Sequence, residues 1–125
     1  MEEEAGIVPA AIRRAVSYID ARAADPITLD AIAGAARLGV RALQSGFRRH
    51  LGTTPLAYLR RVRLENAHRD LQAAIPAMGV TVTEIAGRWG FSDSSRFAAS
   101  YRAAYGRSPS RTLREEPHLV SILGG

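Results

Sequence analysis

The chain has no cysteine. That excludes a disulfide framework, a thiolate zinc site and a cysteine nucleophile. It has no lysine either: all 17 basic residues are arginine, set against 12 acids for a formal charge of +5. No run of residues reads as a signal peptide or a membrane span, so the expectation is a cytoplasmic, nucleoid-associated protein with no membrane partner. Phosphate loops, nucleophile elbows and paired carboxylates are also missing. His50, His68 and His118 lie far apart with no His-x-x-x-His spacing. Asp20, Asp25 and Asp30 scatter around a helix end, where capping and solvation explain them. No metal, no cofactor and no enzymatic activity are expected.

What is present is enough hydrophobic content, 46% of 125 residues, for one ordinary core or for two very small lobes sharing a helix. An arginine-rich balance favours polyanionic partners, because the planar guanidinium donates in pairs to phosphate and guanine. Charge alone does not decide the matter, since many basic proteins bind nothing anionic.

Along the chain, residues 1–7, which begin MEEEAG, read as an acidic leader. Residues 8–24 repeat Ile12, Ala15, Val16, Ile19 and Ala23 at helical spacing, and Asp25-Pro26 ends that helix. Thr28 can cap a second helix carrying Leu29, Ile32, Ala33 and Ala36. After the turn Arg37-Leu38-Gly39, a third helix over 40–51 has an inner stripe of Val40, Leu43 and Phe47. Its outer stripe is Arg41, Gln44, Ser45 and Arg48. Gly52 stops it, and Pro55 opens a long helix to about residue 74 with Leu56, Leu59, Val62, Leu64, Ala67 and Leu71. A loop over 75–80 follows. Thr81 and Glu84 have capping-box spacing for a fifth helix ending near Trp89, with Gly90 free to turn left-handed. The sixth helix, 94–105, turns Phe97, Tyr101 and Ala104 inward, and Pro109 opens a short seventh ending near Arg114. Residues 115–125 form a tail without periodicity.

One plan is used twice. Ile32-Ala33-Gly34 recurs 53 residues later as Ile85-Ala86-Gly87, and Thr28, Leu29 and Leu38 map onto Thr81, Val82 and Phe91. Past the turn the offset becomes 54: Phe47, Gly52, Pro55 and Leu59 map onto Tyr101, Gly106, Pro109 and Leu113. A shared plan over about 30 residues is much harder to obtain by chance than one motif.

At LQSGFRRHLGTTPLAYLRRVRLENAHRDL (43–71) and VTEIAGRWGFSDSSRFAASYRAAYGRSPSRTLR (82–114), the sequence resembles the DNA-binding domain of the AraC/XylS family of bacterial transcription regulators. The resemblance covers residues 8–114. It implies an all-α, homeodomain-like fold of seven helices: a first helix-turn-helix subdomain at 8–54, a linker helix at 55–74 and a second subdomain at 75–114. It further implies that helices 40–51 and 94–105 enter successive major grooves of double-stranded DNA. Activation by contact with RNA polymerase is the family's commonest mode. Arg37 stands where the family has Gly, Gly39 where it has Ser, and Trp89 where it has something smaller; as the only Trp, on the apolar side, Trp89 is expected in the core.

A recognition helix buries one stripe and offers the other to base edges. In the first, Arg41 can pair with guanine and Gln44 with adenine, while Ser45 can reach base or backbone. A solvated helix face is the alternative for all three. Arg48 and Arg49 read as phosphate contacts or surface charges. In the second, Ser94, Ser95, Ala98 and Ala99 face outward, with Arg96 at base or phosphate; alanine can pack on a thymine methyl but offers no hydrogen bond. Arg37, Arg102 and Arg107 are assigned to phosphates. Ser92 and Ser94 stand at a helix N-terminus, where free amides bind phosphate or the serines simply cap. The first helix is therefore expected to carry more of the direct readout. The rival function is a protein-interaction module that kept the fold, supported by the alanine-rich second face. A third reading is the DNA-binding piece of a longer ligand-sensing regulator; as this chain, a monomer is expected.

Overall fold

The computed structural model describes residues 7–115; the acidic leader and most of the C-terminal tail, His118 included, lie outside the described residues. Seven α-helices account for its regular structure apart from one 3₁₀ turn: α1 Ala10–Arg22, α2 Leu29–Ala36, α3 Val40–Leu51, α4 Pro55–Ala73, α5 Val82–Arg88, α6 Ser94–Tyr105 and α7 Pro109–Arg114. The expected order of helices holds, with α1 two residues shorter at each end. The loop at 75–80 contains the 3₁₀ turn Pro76–Met78. The chain divides into two compact units, with the boundary in the sequence of α4 between Val62 and Arg63.

In the first unit, Ile12, Ala15 and Ile19 of α1, with Ala23 just beyond its end, are buried against α2 and α3, which contribute Ile32, Ala33, Ala36, Leu43 and Phe47. Thr28 caps α2, its Oγ1 accepting from the Ala31 amide at 3.1 Å. Arg14 on α1 donates to the Ala36 carbonyl at the other end of α2 at 2.9 Å. Gly46 lies in mid-helix, where glycine costs about 1 kcal/mol relative to alanine. The reason is packing: a Cβ there would meet Ile12 Cδ1 at 2.5 Å, so α3 approaches α1 closely at this point.

In the second unit, Leu64, Ala67 and Leu71 of α4 join Ile85, Ala86, Phe97 and Tyr101 in one core, with Trp89, Phe91, Tyr105 and Leu113 packed around it. The capping box is complete: Thr81 Oγ1 accepts from the Glu84 amide at 3.1 Å, and Glu84 Oε1 accepts from the Thr81 amide at 2.9 Å. Trp89, expected in the core, is half-buried against it, because its indole N–H reaches out to Asp70 of α4 at 2.7 Å. The same carboxylate oxygen pairs with Arg88 at 2.9 Å.

Both halves close their turns alike. The Leu38 amide donates to the Ala33 carbonyl at 3.0 Å, and the Phe91 amide to the Ala86 carbonyl at 2.9 Å. The intervening residues, Arg37 (φ 61) and Gly90 (φ 87), are both left-handed. Thr54 and Ser108, also matched, cap α4 and α7 through the Ala57 and Arg111 amides. Three placements differ from expectation. Ala104 is exposed, because Tyr105 takes the inward position instead. Leu56 is 47% exposed, lying off the buried stripe that runs through Leu59. Val40 is half-buried rather than core.

Candidate nucleic-acid interface

α3 is amphipathic, with Leu43 and Phe47 fully buried and Arg41, Gln44, Ser45, Arg48 and Arg49 all exposed on its remaining surface. Arg41, Gln44, Ser45 and Arg48 fall at i, i+3, i+4 and i+7, one face of a helix. At the N-terminus the cap is Gly39, which has no side chain to bond the first amides. Arg37 is exposed two residues before. It is the only non-glycine residue at positive φ among those described, with its amide bonded to the Gly34 carbonyl at 3.1 Å. A Cβ in that region costs about 1–2 kcal/mol.

α6 begins differently. Asp93 is its cap, with Oδ1 accepting from the Ser95 and Arg96 amides at 3.0 and 3.1 Å. Neither Ser92 nor Ser94 performs the capping that the sequence suggested, and two of the amides that would greet a phosphate are already taken. Asp93 also stands 3.9 Å from the Arg96 guanidinium. Ser92, Ser94, Ser95, Arg96, Ala99 and Arg102 are exposed, while Ala98 is half-buried, so the outward face is narrower than the sequence implied. Arg107, assigned to a phosphate, is half-buried and ion-paired to Glu115. The Asp93 cap was open to sequence reading, since Asp is a strong N-cap residue; two neighbouring serines obscured it.

Behind α6 lies a feature that sequence reasoning missed. His68 of α4 stacks on Tyr105 with centroids 3.8 Å apart and planes 10° off parallel. Its Nδ1 is 2.7 Å from the Tyr101 hydroxyl, which donates to Thr112 Oγ1 of α7, also at 2.7 Å. A hydroxyl has one proton, so with Tyr101 donating to Thr112 it is His68 Nδ1–H that donates to Tyr101. Burial, then the Arg107 and Arg69 guanidinium groups, holds the His68 pKa below its ordinary value. Burial raises that of Tyr101. Among the described residues no group of His, Asp or Glu could hold a metal ion, and no helix is long and apolar enough to cross a membrane.

Two helix-turn-helix units, each turning a polar recognition face to solvent, define the class: a DNA-binding regulator domain of the duplicated helix-turn-helix type. Comparison with known proteins agrees. The family described as "Helix-turn-helix domain" matches residues 32–115. The chain is 44% identical over 110 residues to the "Probable thc operon regulatory protein" of Rhodococcus erythropolis, covering 88% of this chain and 33% of that protein. It is 39% identical over 103 residues to the "XylDLEGF operon transcriptional activator" of Pseudomonas putida, covering 82% and 32%. It therefore spans about a third of the length of these relatives. A crystal structure described as that of a probable AraC family transcriptional regulator from Rhodopseudomonas palustris CGA009 superposes with a TM-score of 0.77 at 34% identity, over 86% of this chain and 98% of that one. The chain belongs to the AraC/XylS family of transcription regulators.

Proposed function

We propose that this chain binds double-stranded DNA sequence-specifically, α3 and α6 reading successive major grooves, and so controls transcription without catalysis. The observation that carries the reading is the exposed face of α3, where Arg41 stands one helical turn from Gln44 and Ser45, with Leu43 and Phe47 fully buried on the opposite side. Arg41 suits guanine O6 and N7, Gln44 suits adenine, and Ser45 serves base or backbone. Arg37, Arg48 and Arg49 would hold phosphates around them, helped by first-turn amides that no side chain caps.

The second reader works with less. Ser94, Ser95, Ala98 and Ala99 offer short contacts and methyl packing, with Arg96 at base or phosphate. Arg102 adds phosphate contact, as do Ser92 and Ser94 through their hydroxyls. Arg107 would join them only by exchanging Glu115 for a phosphate. The regulator acts as an activator, as the name of the Pseudomonas putida relative suggests, through contact with RNA polymerase; as this chain it is a monomer.

Selection from a random duplex library tests the reading. The chain should enrich one motif of about 15–20 base pairs, because half-sites lie about one helical turn apart. The logarithm of affinity should fall with the logarithm of salt by about 0.9 per phosphate contact. No enriched motif, with a flat salt dependence, would point to a protein-interaction module instead.

A further inference from the structure

The two halves of the chain share a plan, and three matched positions behind the recognition helix change character together. Val16, at the half-buried edge of the stripe Ile12, Ala15 and Ile19, corresponds to His68 beside the stripe Leu64, Ala67 and Leu71, 52 residues on. Phe47 and Tyr58 correspond to Tyr101 and Thr112, both 54 residues on. In the first unit Phe47 meets Tyr58 edge to face, centroids 5.8 Å apart, and the Phe47 ring has no group that could hydrogen-bond α3 in place. The second unit has a continuous polar chain in its place: His68 to Tyr101 to Thr112, tying α4, α6 and α7 together.

We propose that His68 and Tyr101 are positioning residues for DNA reading, fixing the rotation of α6 so that its short outward side chains meet the bases. The inference rests on α6 being the second reader. Apolar packing is non-directional, so an aromatic core tolerates small rotations of a helix, whereas hydrogen bonds fail steeply with angle. A rotation of 10–20° moves a point at the helix surface, ~5–6 Å from the axis, by roughly 1–2 Å. Arginine and glutamine on α3 can absorb such a shift with their flexible stems. Serine and alanine on α6 cannot, since Ala98 and Ala99 have one carbon each. The polar chain therefore stands behind the helix whose readers have the least reach.

The test repeats duplex selection with the full chain and scores each half of the motif separately, in variants shown by their thermal transitions to be folded at the assay temperature. His68→Phe keeps a ring against Tyr105 and removes the donor; Tyr101→Phe removes the hydroxyl; His68→Asn keeps an N–H near the Nδ1 position and loses the stack. Base discrimination in the α6 half should drop about five- to tenfold in both Phe variants, the α3 half should hold, and His68→Asn should retain most of it. Equal loss in both halves, no loss in either, or loss in His68→Asn but not His68→Phe would overturn the positioning role. If the unaltered chain itself enriches no two-part motif, the underlying reading of α6 fails instead. Should His68→Phe not fold, Tyr101→Phe decides alone.

Discussion

Arg37 has the left-handed backbone that its counterpart Gly90 adopts at little cost, and it does so on the surface beside the first reader. Local strain of this kind persists where the side chain has other work, which for Arg37 we propose is a phosphate contact. Arg37→Gly should raise unfolding stability by about 1 kcal/mol while lowering the salt slope of DNA binding by about one contact. Urea denaturation and a salt titration read the two effects; a loss of stability would contradict the backbone account. The repeat made the site of this turn legible, since Arg37 and Gly90 fall at one offset. That an arginine would accept positive φ was not legible, because preference for that region points to Gly or Asn. His68 was equally hidden: its partners lie 33 and 37 residues away, and no local pattern joins them.

At the level of elements, α3 and α6 have the same length and each buries two anchors, Leu43 and Phe47 in α3 and Phe97 and Tyr101 in α6, but their N-termini are opposite. Gly39 leaves the first turn of α3 without a side-chain cap, whereas Asp93 closes that of α6 and brings a negative charge to the face proposed to meet DNA. Asp93→Asn separates these two effects, as asparagine caps about as well. Stability should change by less than about 0.5 kcal/mol, and DNA affinity should rise severalfold with the motif unchanged. Unaltered affinity, measured by titration at fixed salt, would mean the α6 N-terminus stands away from phosphate. Helix order, the capping box and both glycine stops could be read from spacing alone. The inward turn of Tyr105 rather than Ala104 could not, because the stacked His68 that draws it inward belongs to another helix.

For the whole molecule, stability and pH are linked through His68. Its pKa is depressed in the fold by burial and by Arg107 and Arg69, so the unfolded chain takes up a proton first, near the ordinary 6.5. Stability is complete above that pH and should decline as pH falls below it. Denaturation profiles between about pH 7 and pH 5 should show this slope in the native chain, and the slope should be weaker in His68→Phe. An equal slope in both would remove His68 as its source. At this scale the duplicated plan gave the architecture, while the proposed division of labour between the halves is argued from side-chain exposure and capping.

That division is the central claim, and duplex selection with two double variants tests it most directly. Arg41→Ala with Gln44→Ala should erase base preference in the half of the motif read by α3, while Ser94→Ala with Ser95→Ala should leave most of the motif in place. An enriched sequence unchanged by the first pair, or lost with the second, would contradict the account.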